Sequence, residues 1–489
     1  MLGLKKEERN PLNEVQKPGT GILLPKPIAK LRWQYLADIL LVLAMSSLLY
    51  YGYLSTGRFA NPHTDIARYQ CYAEAFWRGT PELHKFPPTQ CSFIKVGTSP
   101  TIVQKMKLHG WLANVINTIE SLQSPLKPLH FLPLEYPLLT VIPFSLGLVG
   151  HVHLYRVVFP LWMALAASII YFILVRYRSR EAAIAFAFYL VVGSWSTADG
   201  RFDLIPAGFT LIALILAKRE RWRWAFAALA LATLFKFYAL VLLVPFLITQ
   251  QSQYHGSKWY AWQRWQPLGE FVLLCAVVTG ISFMLSIEGT LAPLSYFEVR
   301  PVQVESFSAS LLWLASFLHH PVQYVVSFGA VNITSPLSHR VDILGMLGMV
   351  TGLLCTFWLQ WRGKLGLFSA SLLTLLIMII TGKVFSPQYL IWVTPLIAYI
   401  GGCNWKWLFS WGTIGLLTTL IYPYMYKAVH DIIMVPQQPA FQPVLLIRNV
   451  LILVVILVLL YKAANRRPLN KRSAISSPGR KYQHSSLAA

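Results

Sequence analysis

The side chains best suited to chemistry in this chain are charged residues at the edges of apolar runs. They come from separate segments and carry both signs: Asp65, Asp199, Arg201, Asp203, Lys236, Arg300, Glu305 and Lys383. Charges are costly inside a bilayer, so those beside an apolar boundary are the first candidates for a functional site. If these segments meet on one side of a membrane, their charges line a polar cavity that opens outward.

The mixture of signs points to group transfer from a phosphate. Lys236, Arg300 and Lys383 suit a phosphate, since Arg offers a bidentate fork and Lys a point charge. A carboxylate among these cations stays ionised, because nearby positive charge lowers its pKa. Beside a bound phosphate, such a carboxylate can take the proton of an attacking hydroxyl. The implied reaction moves a group from a lipid phosphate to an alcohol.

Several of these residues also have a purely structural interpretation. Asp65, with the Thr before it, precedes an apolar run from Ile66 and can therefore cap a helix. Asp199 and Asp203, in "STADGRFD", can cap the next helix around a Gly turn. Lys236, in "ATLFKFYALVLLVPF", can snorkel to the membrane surface. At each of these positions the sequence leaves both interpretations open.

The composition indicates a membrane protein. Of the 489 residues, 55% are hydrophobic and only 12% are charged, and the mean hydropathy is +0.52. The net charge of +23 falls mainly in both tails and in short segments between apolar runs. That distribution follows the positive-inside rule and does not indicate a nucleic-acid-binding face. We therefore expect contact with membrane lipids, including anionic headgroups, and no nucleic acid partner.

The apolar runs predict an all-α polytopic protein of the cell membrane with both termini in the cytoplasm. A helix needs about 20 apolar residues to cross the hydrocarbon core, and the shorter run Tyr136–Val149, with two prolines, is predicted to be re-entrant or interfacial. These spans divide the chain into a cytoplasmic tail (1–33), a transmembrane domain (34–463) and a basic disordered cytoplasmic tail (464–489). About twelve spans are predicted, near 34–53, 154–175, 181–198, 204–217, 222–235, 238–250, 268–287, 342–361, 365–381, 387–402, 406–422 and 442–463.

The predicted outer face is dominated by one loop, residues 54–135. Its helical patches Ile66–Arg78 and Val103–Leu122 can lie on the membrane surface as amphipathic helices. The same loop contains Cys71 and Cys91, which can form one disulfide in an oxidising compartment. The sequence does not decide whether they do.

Five stretches carry a resemblance to a known family. In chain order, between about residues 34 and 463, they are "HTDIARYQCYAEAFWRGTPE", "LEYPLLTVIPF", "DGRFDLIPAGFTLIALILAKRERWRWAFAALALATLFKFYALVLLVP", "YFEVRPVQVESFSASLLWL" and "KVFSPQYLIWVTPL". The pattern is an Asp after the first span, a Tyr four residues on, a Gly ending the surface helix and then a Tyr-Pro segment. As a set, these stretches resemble glycosyltransferase family 87, the polyprenyl-phosphate-mannose-dependent mannosyltransferases.

The resemblance implies a GT-C fold, with the active site extracytoplasmic and under the long first loop. It implies a hexose donor on polyprenyl phosphate, most often mannose, a hydroxyl of a lipid or glycan as acceptor, and no cofactor. Asp65 matches the family's catalytic base in an inverting displacement, and His319 and His320 are the nearest candidates for a functional His. Asp199 and Asp203 stand near a second acidic motif, but a spacing of four instead of two weakens a metal assignment and leaves a divalent metal open.

Substrate or donor-phosphate binding is expected from Arg68, Asp199, Arg201, Asp203, Lys236, Arg300, Glu305, Lys383 and Gln388. The main alternative is a multi-pass transporter or lipid flippase, which usually places its binding groups near mid-membrane on repeated, broken helices. Charges near one face and no visible repeat favour the enzyme. An O-antigen-ligase-like enzyme would carry its large loop late in the chain, and a non-enzymatic assembly protein is the last alternative.

Overall fold

The computed structural model describes residues 28–57, 61–62, 64–94, 109–150, 152–254 and 258–467, which are mostly helical. The α-helices are α1 (Ile28–Ser55), α2 (Asp65–Arg78), α3 (Trp111–Leu122), α4 (Val141–Leu146), α5 (Tyr155–Tyr177), α6 (Arg180–Ser194), α7 (Leu204–Lys218), α8 (Trp222–Phe235), α9 (Leu243–Gln253), α10 (Trp262–Leu285), α11 (Ile287–Val299), α12 (Phe307–Ser316), α13 (Ser338–Trp361), α14 (Leu367–Thr381), α15 (Tyr389–Gly401), α16 (Trp405–Thr419) and α17 (Phe441–Ala464). The strands are β1 (Val302–Gln303), β2 (Gln323–Ser327) and β3 (Ala330–Thr334). Short 3₁₀ turns cover Thr80–Lys85, Leu138–Thr140, Gly147–Val149, Val152–Leu154, Phe237–Leu242 and Ile432–Gln437, and a π-helical turn covers Leu420–Met425.

Within the described residues, five helices are long and apolar enough to cross a membrane. They are α1 over Trp33–Ser55, the Val152–Tyr177 segment that contains α5, and α10, α13 and α17. Each reaches the length of about 20 residues that a membrane crossing requires. In α10 and α13 only 11% of the most apolar window is buried by protein, so their apolar side chains are left to face lipid. The chain is therefore a helical membrane protein, as its apolar runs predict.

The other predicted spans fall on shorter helices. These are α6 to α9 and α14 to α16, with 11–15 residues each. α14 and α15 are apolar on nearly every face and have mostly buried side chains, as expected of helices surrounded by other helices. Gly193 of α6 and Gly415 of α16 allow two backbones to meet, because a Cβ on either would lie 3.0 Å from the Cα of the other.

The first part of the long loop is folded into the bundle. α2 is expected on the membrane surface, but ten of its 14 residues are buried. The reason is aromatic packing: the ring of Tyr69 stacks on Phe144 of α4, with the centroids 4.3 Å apart. α4 and its flanking 3₁₀ turns form the segment that is predicted to be re-entrant. A disulfide joins Cys71 to Cys91, which ties the chain after the Thr80–Lys85 turn to α2.

α3 behaves as a surface helix, in contrast to α2. Its apolar side chains Trp111 and Leu122 are 73% and 63% exposed, a pattern typical of a helix that lies on a membrane surface. The first part of the predicted helix Val103–Leu122 lies outside the described residues, as do His63 and most of both predicted tails.

A small antiparallel sheet corrects the all-α prediction. Its strand order is β1–β3–β2, with Val302 opposite Ile333 and Val325 opposite Asn332. β2 and β3 are rich in β-branched residues and are joined by a two-residue turn, Phe328–Gly329, in which both residues have positive φ. A Cβ at Gly329 would also lie 3.0 Å from a guanidinium nitrogen of an arginine in α2, so the turn brings backbone close to a charged group.

Candidate functional site

Most of the charged residues singled out in the sequence meet at one cavity of about 390 Å³. It lies past the C-terminal ends of α1, α6, α8 and α16 and beside the N-terminal ends of α2 and α15. We call it the charged cavity. Seven of the predicted site residues line it: Asp65, Arg68, Arg201, Lys236, Arg300, Glu305 and Gln388. Helix packing brings them together, because they come from distant parts of the chain.

Asp65 is the first residue of α2, but it does not cap that helix. Thr64 occupies the N-cap position, and its side-chain oxygen accepts a hydrogen bond from the N–H of Ala67 at 3.4 Å. The Asp65 Oδ2 atom instead lies 2.5 Å from Nη2 of Arg201. The two side chains are 24% and 14% exposed, respectively. This ion pair therefore keeps a carboxylate at the cavity wall.

Lys236 is held at a break in the helical chain. α8 ends at Phe235, and Lys236 has an extended backbone before the next 3₁₀ turn. Its Nζ atom lies 2.6 Å from Oδ1 of Asp203, which also accepts the indole N–H of Trp392. Lys236 therefore does not snorkel, and Asp203, at the N-cap of α7, forms no side-chain cap.

Two more guanidinium groups face the cavity. Arg68, one turn into α2, forms an ion pair with Glu135. Arg300 forms no ion pair within the described residues; its Nη2 atom donates weakly to Gln303 at 3.5 Å, and its guanidinium lies 5.6 Å from the ring centroid of Tyr296. Its Nε atom is buried without a hydrogen-bond partner in the described part of the chain. Arg300 thus has donors available for an anion.

Glu305 connects the cavity to the long helix α17. Arg448, which is fully buried in α17, donates from Nη2 to the Glu305 carbonyl oxygen at 2.6 Å and lies 3.5 Å from its carboxylate. The hydroxyl of Tyr426 donates to the same carboxylate at 3.0 Å. Burial raises the pKa of Glu305, and Arg448 opposes that shift. The network fixes the Glu305 side chain against the cavity wall.

The charged cavity carries an excess of positive charge. Behind the wall, Asp203 pairs with Lys236 and Arg448 pairs with Glu305, and these two opposite charges leave the net charge of the site unchanged. The wall itself has five basic and three acidic side chains: Arg68, Arg201, Lys236, Arg300 and Lys427, and Asp65, Glu135 and Glu305. A wall of this kind favours an anion with several acceptor oxygens, such as a phosphate.

Five predicted residues do not line the cavity: Asp203, which stands behind Lys236, and Asp199, Lys383, His319 and His320. Asp199 is fully buried, neither carboxylate oxygen has a hydrogen-bond partner among the described residues, and burial raises its pKa well above the usual range. The backbone carbonyl oxygen of Lys383 accepts a hydrogen bond from the N–H of Gln303 at 2.9 Å. His319 and His320 are exposed between α12 and β2. Their proposed catalytic role stays a prediction.

The sequence interpretation missed several residues that the structure brings to the site. Glu135, Tyr426 and His430 line the cavity, and Arg448 stands directly behind it. Arg448 carried a usable signal, because an arginine inside the last apolar run is a functional candidate by default. His430 carried none, since it lies in an ordinary polar loop. Within the described ranges, no cluster of three His, Cys, Asp or Glu could hold a metal ion.

The fold and the cavity together define a helical membrane protein with a site of mixed charges at one end of its bundle. In comparisons with known proteins, no family model and no curated protein sequence matches the chain. The function is therefore argued from the geometry of the charged cavity.

Proposed function

We propose that this protein is a glycosyltransferase of the GT-C type, resembling family 87. In this proposal it moves a hexose, such as mannose, from polyprenyl phosphate to a hydroxyl of a lipid or glycan. The observation that carries the proposal is the position of Asp65. Its carboxylate does not cap α2 but lies 2.5 Å from Arg201, at the wall of a cavity with excess positive charge. A carboxylate beside cations suits a base that works next to a phosphate.

The reaction is a single displacement at the anomeric carbon. The Asp65 carboxylate takes the proton of the acceptor hydroxyl as its oxygen attacks the anomeric carbon. The bond between that carbon and the phosphate oxygen breaks, and polyprenyl phosphate leaves with the electron pair. Negative charge therefore grows on the phosphate during the reaction. Side chains that contact the phosphate therefore stabilise the transition state more than they stabilise the bound donor.

Arg300 and Lys236 are the side chains proposed to hold the donor phosphate. Arg300 has donors without an ion-pair partner among the described residues, so it can form a bidentate contact. Lys236 adds a point charge and is held in place by Asp203. In this proposal Arg201 is a positioning residue, because it acts on the substrate through Asp65.

The proposed orientation places the charged cavity on the extracytoplasmic side. Two observations support it. The Cys71–Cys91 disulfide lies in the part of the chain that forms the cavity wall, and disulfides persist in oxidising compartments. Basic clusters stand at the other end of the bundle, at Arg178–Arg180, Lys218–Arg223 and Arg362–Lys364, as the positive-inside rule requires of the cytoplasmic side.

We further propose twelve crossings, seven of them by the shorter helices. A helix of 15 residues such as α14 is about 22 Å long, whereas the hydrocarbon core is about 30 Å thick. The rest of each crossing would consist of irregular segments such as the one around Lys236. Irregular backbone is tolerated at membrane depth where it is enclosed by protein or lines a polar cavity.

A transfer assay with the purified full-length protein in liposomes tests the proposal. Polyprenyl phosphate carrying radiolabelled mannose is supplied with a membrane extract as the source of acceptor. We expect label in the acceptor fraction and an equal amount of free polyprenyl phosphate, and no transfer from a nucleotide sugar. Ion-coupled uptake of a solute without glycosyl transfer would instead favour a transporter and overturn the proposal.

A further inference from the structure

A second cavity lies at the end of the bundle opposite to the charged cavity. It has a volume of about 430 Å³ and runs along α14, α16 and α17. α16 contributes its first turns to it, including Lys406 and Trp407, whereas the charged cavity lies past the other end of α16. α15 also reaches both cavities: Ile400 in its last turn lines the second cavity, and Tyr389 in its first turn lines the charged cavity. We call this second cavity the basic groove.

The basic groove is apolar along its length and cationic at its mouth. Leu373 of α14 and Val455 and Leu459 of α17 belong to its apolar wall. From Val454 to Lys462, nine residues of α17 run along the groove, a length of about 12 Å at the helical rise. Such a depth matches the first part of an acyl chain that enters from the membrane surface.

Three basic side chains stand at the mouth: Lys406 at the start of α16, Lys462 in the last turn of α17, and Arg466 just beyond it. All three are exposed, and none forms an ion pair within the described part of the chain. Among the residues that the structure describes, no carboxylate lines the groove, while Ser369 and Ser410 add hydroxyl groups. The mouth therefore presents uncompensated positive charge directly above an apolar slot.

We propose that the basic groove binds an anionic phospholipid, with one acyl chain along α14 and α17 and the phosphate headgroup against the three cations. Basic pockets between transmembrane helices are suited to anionic headgroups. The chain's own segment 468–489 is a poor occupant, because it contains no Asp or Glu and four Lys or Arg residues. A second copy of the chain would bring its own basic mouth to the contact.

Native mass spectrometry of the full-length protein in a neutral detergent tests this assignment. Phosphatidylglycerol and phosphatidylcholine with the same acyl chains are titrated separately. We expect a saturable high-affinity phosphatidylglycerol adduct. The combined variant Lys406→Gln, Lys462→Gln, Arg466→Gln should weaken it by about a hundredfold, since each Lys or Arg near an anionic headgroup contributes roughly a factor of five. Phosphatidylcholine binding should be unchanged.

Two matched variants control for folding and for general charge. Lys406→Arg with Lys462→Arg keeps the charge and should bind phosphatidylglycerol as the wild type does. Arg221→Gln with Arg362→Gln removes exposed charge outside the groove and should also leave binding unchanged. Equal binding of both lipids by the wild type, or an unchanged phosphatidylglycerol preference in the triple variant, would overturn the proposal. A dimer mass that displaces the lipid adduct would assign the groove to a second copy instead.

Discussion

Replacement of Asp65 by Asn removes the proposed base while it keeps the size of the side chain. The structure separates two losses. The first is structural: the ion pair with Arg201 at 2.5 Å becomes a weaker hydrogen bond, in which the guanidinium donates to an uncharged amide oxygen. Charged hydrogen bonds contribute about 1.5–3 kcal/mol, and both side chains are less than a quarter exposed, so solvent screens this contact only in part. The second is chemical: a general base supplies roughly 10²–10⁴ in rate, or about 3–5 kcal/mol.

Steady-state transfer kinetics distinguish these losses. With radiolabelled polyprenyl-phosphate-mannose as donor, we expect kcat of Asp65→Asn to fall by about 10²–10⁴, with the donor KM changed by only a few-fold. Glu82→Gln is the matched control, since Glu82 belongs to the same loop, pairs with Lys85 and does not line the cavity. It should keep the wild-type kcat.

Protein folding must be followed in the same samples. Thermal unfolding should show that Asp65→Asn is folded at the assay temperature, and Asp65→Glu, which restores a carboxylate, should regain part of the rate. A folded Asp65→Asn variant with a kcat within about threefold of wild type would refute the base assignment, because the expected chemical term is at least about 10². The same result would leave the fold and the cavity as they are.

Three further predictions test other parts of the structure. Arg300→Gln should lower kcat/KM for the donor by about tenfold or more, since a lost charged hydrogen bond costs about 1.5–3 kcal/mol; an unchanged kcat/KM in transfer assays would remove Arg300 from the phosphate site. Asp199→Asn should raise thermal stability at pH 8 more than at pH 5. Burial raises the folded-state pKa of Asp199 above an unfolded value of about 3.9, so wild-type stability falls as pH rises through that window; an equal change at both pH values would contradict this. Cys91→Ser should lower stability by about 3 kcal/mol, because the disulfide closes a loop over a separation of 20 residues. Peptide mapping of the non-reduced wild type should recover the linked peptides, and free thiols at both positions would contradict the pairing.

The membrane helices could be predicted from sequence because their signal is local. A run of about 20 apolar residues has a high free-energy cost in water and is stable only in lipid or a large protein core. This follows from the segment alone, whichever helices pack against it. Isolated charges at the edges of these runs carry a local signal too, because a charge is costly in a bilayer, and the sequence therefore predicts Lys236 and Arg300 as site residues. The structure brings both to one cavity.

The structural role of each charge could not be predicted in this way. Asp65 and Thr64 are both good N-cap residues, and only the folded chain shows that Thr64 caps α2 while Asp65 meets Arg201. The sequence also does not predict the hairpin of β2 and β3. Strands this short give only a weak alternating pattern of apolar and polar residues, so the long apolar runs around them lead to an all-α prediction.

By itself, the sequence determined that the chain is a helical membrane protein and which polar residues stand at the ends of its apolar runs. Only the tertiary structure decided the pairs, such as Asp203 with Lys236 and Glu305 with Arg448. The physical reason is that hydrophobic length is a property of one segment, whereas the partner of a charge depends on how distant helices pack. The same packing leaves Asp199 buried without a partner among the described residues, an outcome that no local pattern encodes.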